Sequence, residues 1–361
     1  MTVLTLAQDQ LFSRQPEDHF ESFAAVRRDA DEQKGRCSTL DAKDDRILFS
    51  EDGGHVHFGD ATLRLTHYAL GQLATMARVP MPVLERLDGE TRAKVLNRCF
   101  PRNRRYRTAL VDGDRLALRC VTSDRYERVW DADVYEQVDR WLLPNGFIPA
   151  MPTINTDAQG TNLLGNTKPA LFRSDRDSFA FFYGDRSPGD DGFGGLRKGV
   201  VVYNSEVGAK SFGFSTFFFR AMCSNFLVWD ATGVKARRAR HTGAVRGIVR
   251  EFREELQETG AVLTTCELDA FEVARTTRFV PEGPGEREQA IQRLVREFKL
   301  PEADAMEVAD LVRAPENPGT FSYWGVVNGI TSAAKGLAYA GDRTDMSSVA
   351  GNVLTAALSL R

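Results

Sequence analysis

FGFSTFFFRAMCSNFLVW, residues 212–229, decides how the rest of the chain is read. It holds six phenylalanines and Trp229, one charge at Arg220, and small polar side chains at Ser215, Thr216, Ser224 and Asn225. A membrane-spanning helix needs about 20 mostly apolar residues, and an arginine at its middle is expensive to bury in lipid. Phenylalanine runs suit a pleated surface better than a helix. The stretch is therefore expected to be a central β-strand running into a turn or short helix, and no membrane partner is expected. The triple Phe217–Phe219 points to both faces of such a strand, so either both faces are covered or one ring is exposed.

Working outward, DSFAFFYG (177–184) and KGVVVYNSE (198–206) are further strand-like runs, with the glycine-rich 184–199 segment as a long hairpin loop between them. Upstream, RYRTALV (105–111) and RLALRCVT (115–122) read as two strands joined across Asp112-Gly113. In the second, Leu116, Leu118 and Cys120 alternate with Ala117, Arg119 and Val121. Asp133 with Glu136 resembles a capping box for the helix that follows. Thr66 is an N-cap ahead of Leu70, Leu73, Ala74 and Ala77, and VPMP (79–82) ends that helix before two shorter ones. After residue 244 the apolar spacing is helical almost throughout. The expectation is an α+β fold with a mainly antiparallel sheet. A polar N-terminal arm with short elements (1–60) precedes an α+β core (61–243). A helical C-terminal part (244–361) either packs on that core or stands apart.

The composition, 42% apolar and 27% charged over 361 residues, is that of a globular chain. A formal net charge of −3 gives no chain-wide positive field, so any nucleic-acid contact must rest on local patches. The N-terminus lacks a basic stretch followed by an apolar one, and five scattered cysteines without a CxxC fit a reducing compartment. A cytoplasmic location is the expectation.

Two arginine-rich runs contain no acid. The first holds Arg102, Arg104, Arg105 and Arg107; the second holds Lys235, Arg237, Arg238, Arg240, Arg246 and Arg250. Such runs are the footprint of phosphate binding, or else a solvated face or ion-pair partners within an acidic chain. On the following helix Val245, Ile248, Val249, Phe252 and Leu256 share one face. Arg246, Arg250 and Arg253 flank it on one side, and Glu251, Glu255 and Glu258 lie toward the other. That helix either shows arginines to a groove or sets its glutamates against a neighbouring subunit. The rings at Tyr106, Phe179, Phe181, Phe182, Tyr183 and Phe217–Phe219 lie near basic residues. They are either core or platforms for stacked bases.

Catalytic patterns are poor. His55 and His57 would share a strand face as two metal ligands do, but no third ligand follows. GFGGLRKG lacks the ending and context of a phosphate loop. No cofactor or metal is expected, and a non-enzymatic role is favoured. Asn204, Ser205 and Glu206 end one strand while Arg220, Ser224 and Asn225 interrupt the next. A buried arginine needs a carboxylate, and Glu206–Arg220 is the expected pair, in a network that is structural or the floor of a site.

The segment VVVYNSEVGAKSFGFSTFFFRAMCSNFLVW (200–229) resembles a phage- and plasmid-associated family, the domain of unknown function numbered nine hundred and thirty-two. The residues that carry the likeness are Asn204, Ser205, Glu206, Arg220, Cys223 and Asn225, with Phe226 and Leu227 where that family commonly has a glycine. The Ser-Asp-Arg-Tyr run at 123–126 and the Asn-x-Ile-Thr run at 328–331 are similar to two further segments of the family. The resemblance spans about residues 10–340. It implies a mobile-element protein found among genes for replication and recombination, without an established activity. One expectation is a non-enzymatic protein that binds single-stranded nucleic acid, acts in strand annealing, and forms a homo-oligomer. The alternative is a protein that binds a host protein and no nucleic acid.

Overall fold

The computed structural model describes residues 16–103, 105–150, 169–184, 196–220, 236–261, 264–314, 319–336 and 340–360. Most of the 184–199 loop, Arg104, Lys235, Cys223 and Asn225 lie outside the described residues. The fold is α+β, as the pattern of elements predicts.

Within the segment expected as a polar arm with short elements, the described residues 16–60 form regular structure. Ser22 caps α1 (Phe23–Arg36) by accepting from the Ala25 N–H at 3.1 Å, and Phe23, Val26 and Ala30 are its buried side. Four strands follow: β1 (Cys37–Lys43), β2 (Ile47–Phe49), β3 (His55–Phe58) and β4 (Ala61–Leu65). They are short and covered on one face, so Ile47, Phe49, Val56, Phe58 and Leu63 suffice to anchor them. The boundary expected at residue 60 falls inside the β3–β4 hairpin, where Phe58 pairs with Ala61.

Next come α2 (His67–Ala77), α3 (Met81–Glu85) and α4 (Gly89–Cys99), the helix and two short helices that the sequence predicts. The Thr66 hydroxyl accepts from the Ala69 N–H at 3.1 Å and donates to the Leu118 carbonyl at 3.0 Å, tying α2 to the sheet beneath it. β5 (Tyr106–Asp112) and β6 (Ala117–Ser123) form the expected hairpin. α5 (Asp131–Gln137) begins two residues before the capping box expected at Asp133 and continues as a π-helical turn over Val138–Leu142.

The first sheet has the order β1-β5-β6-β4-β3-β2, antiparallel except that β4 runs parallel to β6. α2 and α4 cover one face, with Leu73, Leu96, Val111, Leu118 and Val121 in the shared core. The alternation expected along β6 is broken. Leu110 pairs with Cys120 and Val111 with Leu118, so Arg119 is an extra residue in a β-bulge. The bulge turns both Arg119 and Cys120 away from the core that holds Leu118 and Val121. Leu116 sits in the turn, exposed and at φ 46.

The second sheet contains β7 (Phe147–Pro149), β8 (Leu171–Arg173), β9 (Ser178–Gly184), β10 (Leu196–Asn204), β11 (Phe212–Arg220) and β12 (Ala236–Ala239). Its order is β12-β11-β10-β9-β7, with β8 also beside β9, and all pairs are antiparallel. Phe212 and Phe214 pack on Phe252 of α6 (Val245–Glu258), at ring distances of 5.5 and 5.2 Å. The helices α7 (Thr265–Thr276), α8 (Glu286–Phe298), α9 (Glu302–Leu311), α10 (Tyr323–Gly336) and α11 (Ala340–Leu358) complete the described chain. They share a core of their own, which Phe218 joins through Phe271 at 5.2 Å. The C-terminal part therefore packs on the sheet. Phe217, on the opposite face from Phe218, is buried as well, so both faces of β11 are covered. No helix among the described residues is long and apolar enough to cross a membrane.

Gly199 stands opposite Phe217 in the β10–β11 register, and a Cβ there would overlap the Phe217 ring. Gly199→Ala is expected to destabilise the fold by about 1–3 kcal/mol through overpacking. A lower denaturant midpoint, partly recovered by adding Phe217→Leu, checks this.

Candidate nucleic-acid interface

The Asn204-Ser205-Glu206 turn is where the two sheets meet. Arg173, Ser178 and Asn204 lie side by side across β8, β9 and β10. Their polar ends converge on Asp131, the first residue of α5. Its Oδ1 accepts from Ser178 Oγ at 2.8 Å and from Asn204 Nδ2 at 2.7 Å, and its Oδ2 accepts from Arg173 Nε at 3.0 Å. Glu206 Oε1 accepts from the Asp131 N–H at 3.1 Å, while Oε2 accepts from Arg119 at 2.8 Å and lies 3.6 Å from Arg173. Arg173 also binds Asp29 and Gln33 of α1.

All four central groups are buried. Burial pushes the Asp131 carboxyl up, as does the charge of Glu206, against the pull of Arg173 and two hydrogen bonds. Burial opposes the charges of Arg119 and Arg173, but the surrounding carboxylates hold both guanidiniums above their ordinary range.

Glu206 thus pairs with Arg119 and Arg173, not with Arg220 as expected. In the β10–β11 register Arg220 stands opposite Leu196, eight residues along β10 from Asn204. At about 3.3 Å per residue that is the far end of the strand. Asn204 and Glu206 do share one network.

The arginine clusters separate by use. Arg102 donates to the carbonyls of Ile47 (3.2 Å) and Asn97 (3.0 Å), and Arg107 grips the buried Asp44 at 2.8 and 3.3 Å. Both hold the first sheet together. Arg105 is exposed. In the second cluster Arg237 stands opposite Phe214 on β12. Arg238 and Arg240 are exposed, Arg246 binds Glu127 at 2.7 Å, and Arg250 lies 4.0 Å from Glu254.

A cleft of about 560 Å³ opens beside the Asn-Ser-Glu turn, walled by Tyr126, the 208–211 turn and the end of β12. Lys210, Arg238, Arg240 and His241 line it. Among the described residues no carboxylate does, and no residue of the first cluster reaches it. Tyr126 donates to the Ser205 carbonyl at 3.0 Å, and Gly208, at φ 84, lets the turn approach the ring. His241 stacks on Tyr126 at 5.0 Å and Arg128 lies 5.2 Å from the same ring centroid, so that ring is a wall rather than a stacking platform. Phe179, Phe181, Phe182, Phe217 and Phe218 are core, which removes them too as platforms for bases. His55 and His57 bond locally, to Asp52 at 2.6 Å and Thr62 at 2.9 Å. Among the described residues no group of three or more His, Cys, Asp or Glu is placed to hold a metal.

Sequence reasoning missed Arg119, Asp131, Arg173, Lys210 and His241. The Ser-Asp-Arg-Tyr and Asn-Ser-Glu runs, noted separately in the sequence, do meet here through Tyr126 and Ser205.

Glu206→Gln leaves Arg119 buried without its carboxylate and is expected to cost about 3–5 kcal/mol in denaturant unfolding; wild-type stability would show that the turn is not a clasp. Burial also holds His241 at about 4, below the ordinary 6.5, with Arg128 acting in the same direction and backbone carbonyls opposing. The folded state therefore keeps this imidazole neutral where the unfolded chain takes up a proton. Its contribution is complete above pH 6.5 and lost as pH falls toward 4, by about 3 kcal/mol. Asp131 acts in the opposite sense, so the difference between wild type and His241→Asn across that window isolates the imidazole. Compared with protein-family models, curated protein sequences and solved structures, the chain has no match.

Proposed function

We propose that this chain is a non-enzymatic nucleic-acid-binding protein that holds one strand by its phosphates in the Lys210–Arg238–Arg240 cleft. The supporting observation is that three basic side chains, from the 208–211 turn and the end of β12, line one cleft with no carboxylate among its described residues. Phosphate neutralisation by such groups supplies sequence-independent affinity. The cleft's volume suits about one or two nucleotides of a single strand, whereas a duplex can only lie across its mouth. With Phe179, Phe181, Phe182, Phe217 and Phe218 in the core, backbone charge rather than stacking on those rings is the source of affinity, and little sequence preference is expected. The resemblance to a mobile-element family adds replication or recombination, including strand annealing, as the setting.

Fluorescence anisotropy with a 30-mer oligonucleotide across a salt series tests the reading. Arg238→Glu with Arg240→Glu is expected to weaken binding at least tenfold. For every phosphate that is no longer neutralised, the salt slope should flatten by about 0.7. Arg102→Ala, by contrast, is expected to lower stability and leave affinity unchanged. Binding indifferent to salt and to the cleft reversals, or no binding at all, sinks the proposal.

A further inference from the structure

A second groove, distinct in chemistry from the basic cleft, lies between α5 and α6, with a volume of about 200 Å³. Its floor is apolar: Val129, Val134, Phe212, Val249 and Phe252. Its rim is positive. Arg246, Arg250 and Arg253 stand on the α6 side; among the described lining residues only Asp133 opposes them, and Lys34 already binds it. The side chains of Arg246 and Arg250 are 81% and 68% exposed, and Arg253 is exposed too. On the helix these three and Val249 fall within one arc of about 100°.

The same chain carries the complementary surface elsewhere. α9 buries Ala305, Val308 and Ala309, and turns Glu302, Ala303, Met306, Glu307 and Asp310 outward. Met306, 46% exposed, is at the centre of that acidic face. Asp310 is engaged by Arg287 at 2.7 Å; Glu302 and Glu307 flank Met306 on either side. An apolar side chain flanked by the carboxylates of Glu302 and Glu307 matches an apolar groove edged along α6 by Arg250 and Arg253, with Arg246 held by Glu127, and methionine adapts well to such gaps.

We infer that the α5–α6 groove receives the Met306 face of α9 from a second copy of this chain. Val129, Val134 and Val249 line the floor beside Phe212 and Phe252, two buried rings packed edge-to-face that offer no open face to a nucleotide base, and the rim supplies the charge complement of α9. The occupant is another molecule because, among the described residues, both surfaces are open within one chain. Because the two surfaces differ, the contact is head-to-tail: each copy offers a groove to one neighbour and a knob to the next. Repetition gives a ring if the rotation closes and a filament if it does not. This inference does not rest on the nucleic-acid reading.

Sedimentation of the full chain tests it. Wild type is expected to gain mass with concentration at low salt and to lose it as salt screens the rim. Arg250→Glu with Arg253→Glu, and separately Ala303→Lys with Glu307→Lys, should each remain monomeric with unchanged melting. Combining all four substitutions in one chain restores the charge match and should restore assembly. Met306→Ser, which leaves every charge in place, should also reduce assembly. Wild type that stays monomeric overturns the inference. So do reversed variants that assemble as wild type does, or a fourfold variant that folds but stays monomeric. An oligonucleotide that binds wild type but not Arg250→Glu with Arg253→Glu would instead assign the groove to nucleic acid.

Discussion

Glu206 is the side chain on which the mutual position of the two sheets depends. One of its oxygens takes a guanidinium from the bulge of the first sheet, the other caps the N-terminus of α5, and Arg173 of the second sheet stands beside it. Two carboxylates and two guanidiniums are withdrawn from water together, so the cluster is formally neutral. Apolar groups of similar volume often hold two elements as firmly. Hydrogen bonds add direction, because each fixes an angle as well as a distance. That direction sets the Asn-Ser-Glu turn against Tyr126 and so shapes the cleft beside it.

Much of the fold was legible because local pattern and tertiary environment agree there. The strands at 178–184, 196–204 and 212–220 are aromatic and β-branched runs, and burial on both faces is what such runs need. Thr66 and the Asp112-Gly113 hairpin were readable for the same reason: cap and turn chemistry acts within a few residues. Residues 23–65 were harder. Their strands are short and covered on one side only, so a few apolar residues do the anchoring and the polar remainder dominates the reading. The ion pairs were not legible at all. Arg119 and Glu206 are 87 positions apart, and their meeting depends on a bulge that no alternation pattern announces. Arg220 is closer in sequence but farther in space, because a strand carries its residues steadily away from a turn.

The arginine runs teach a related point about charge. An acid-free run in sequence says nothing about carboxylates or carbonyls brought to it by folding. Arg107 finds Asp44 and Arg102 finds two backbone carbonyls, so most of the described first cluster is structural. The second cluster ends in an edge strand and an exposed helix flank, which face solvent. Topology, more than charge count, determines which cations do so.

The bulge at Arg119 has a consequence for how the first sheet is built. Leu118, Cys120 and Val121 would address the same faces if Arg119 were excised, because the strand on either side of it keeps its ordinary alternation. The guanidinium is thus a peg set into a wall that is complete without it. Shortening the strand by that one residue should leave the first sheet and its helices well formed while taking one guanidinium out of the contact with the second, which Tyr126 on Ser205 and Cys120 beside Val207 still join. At that single position the chain's length matters as much as its composition.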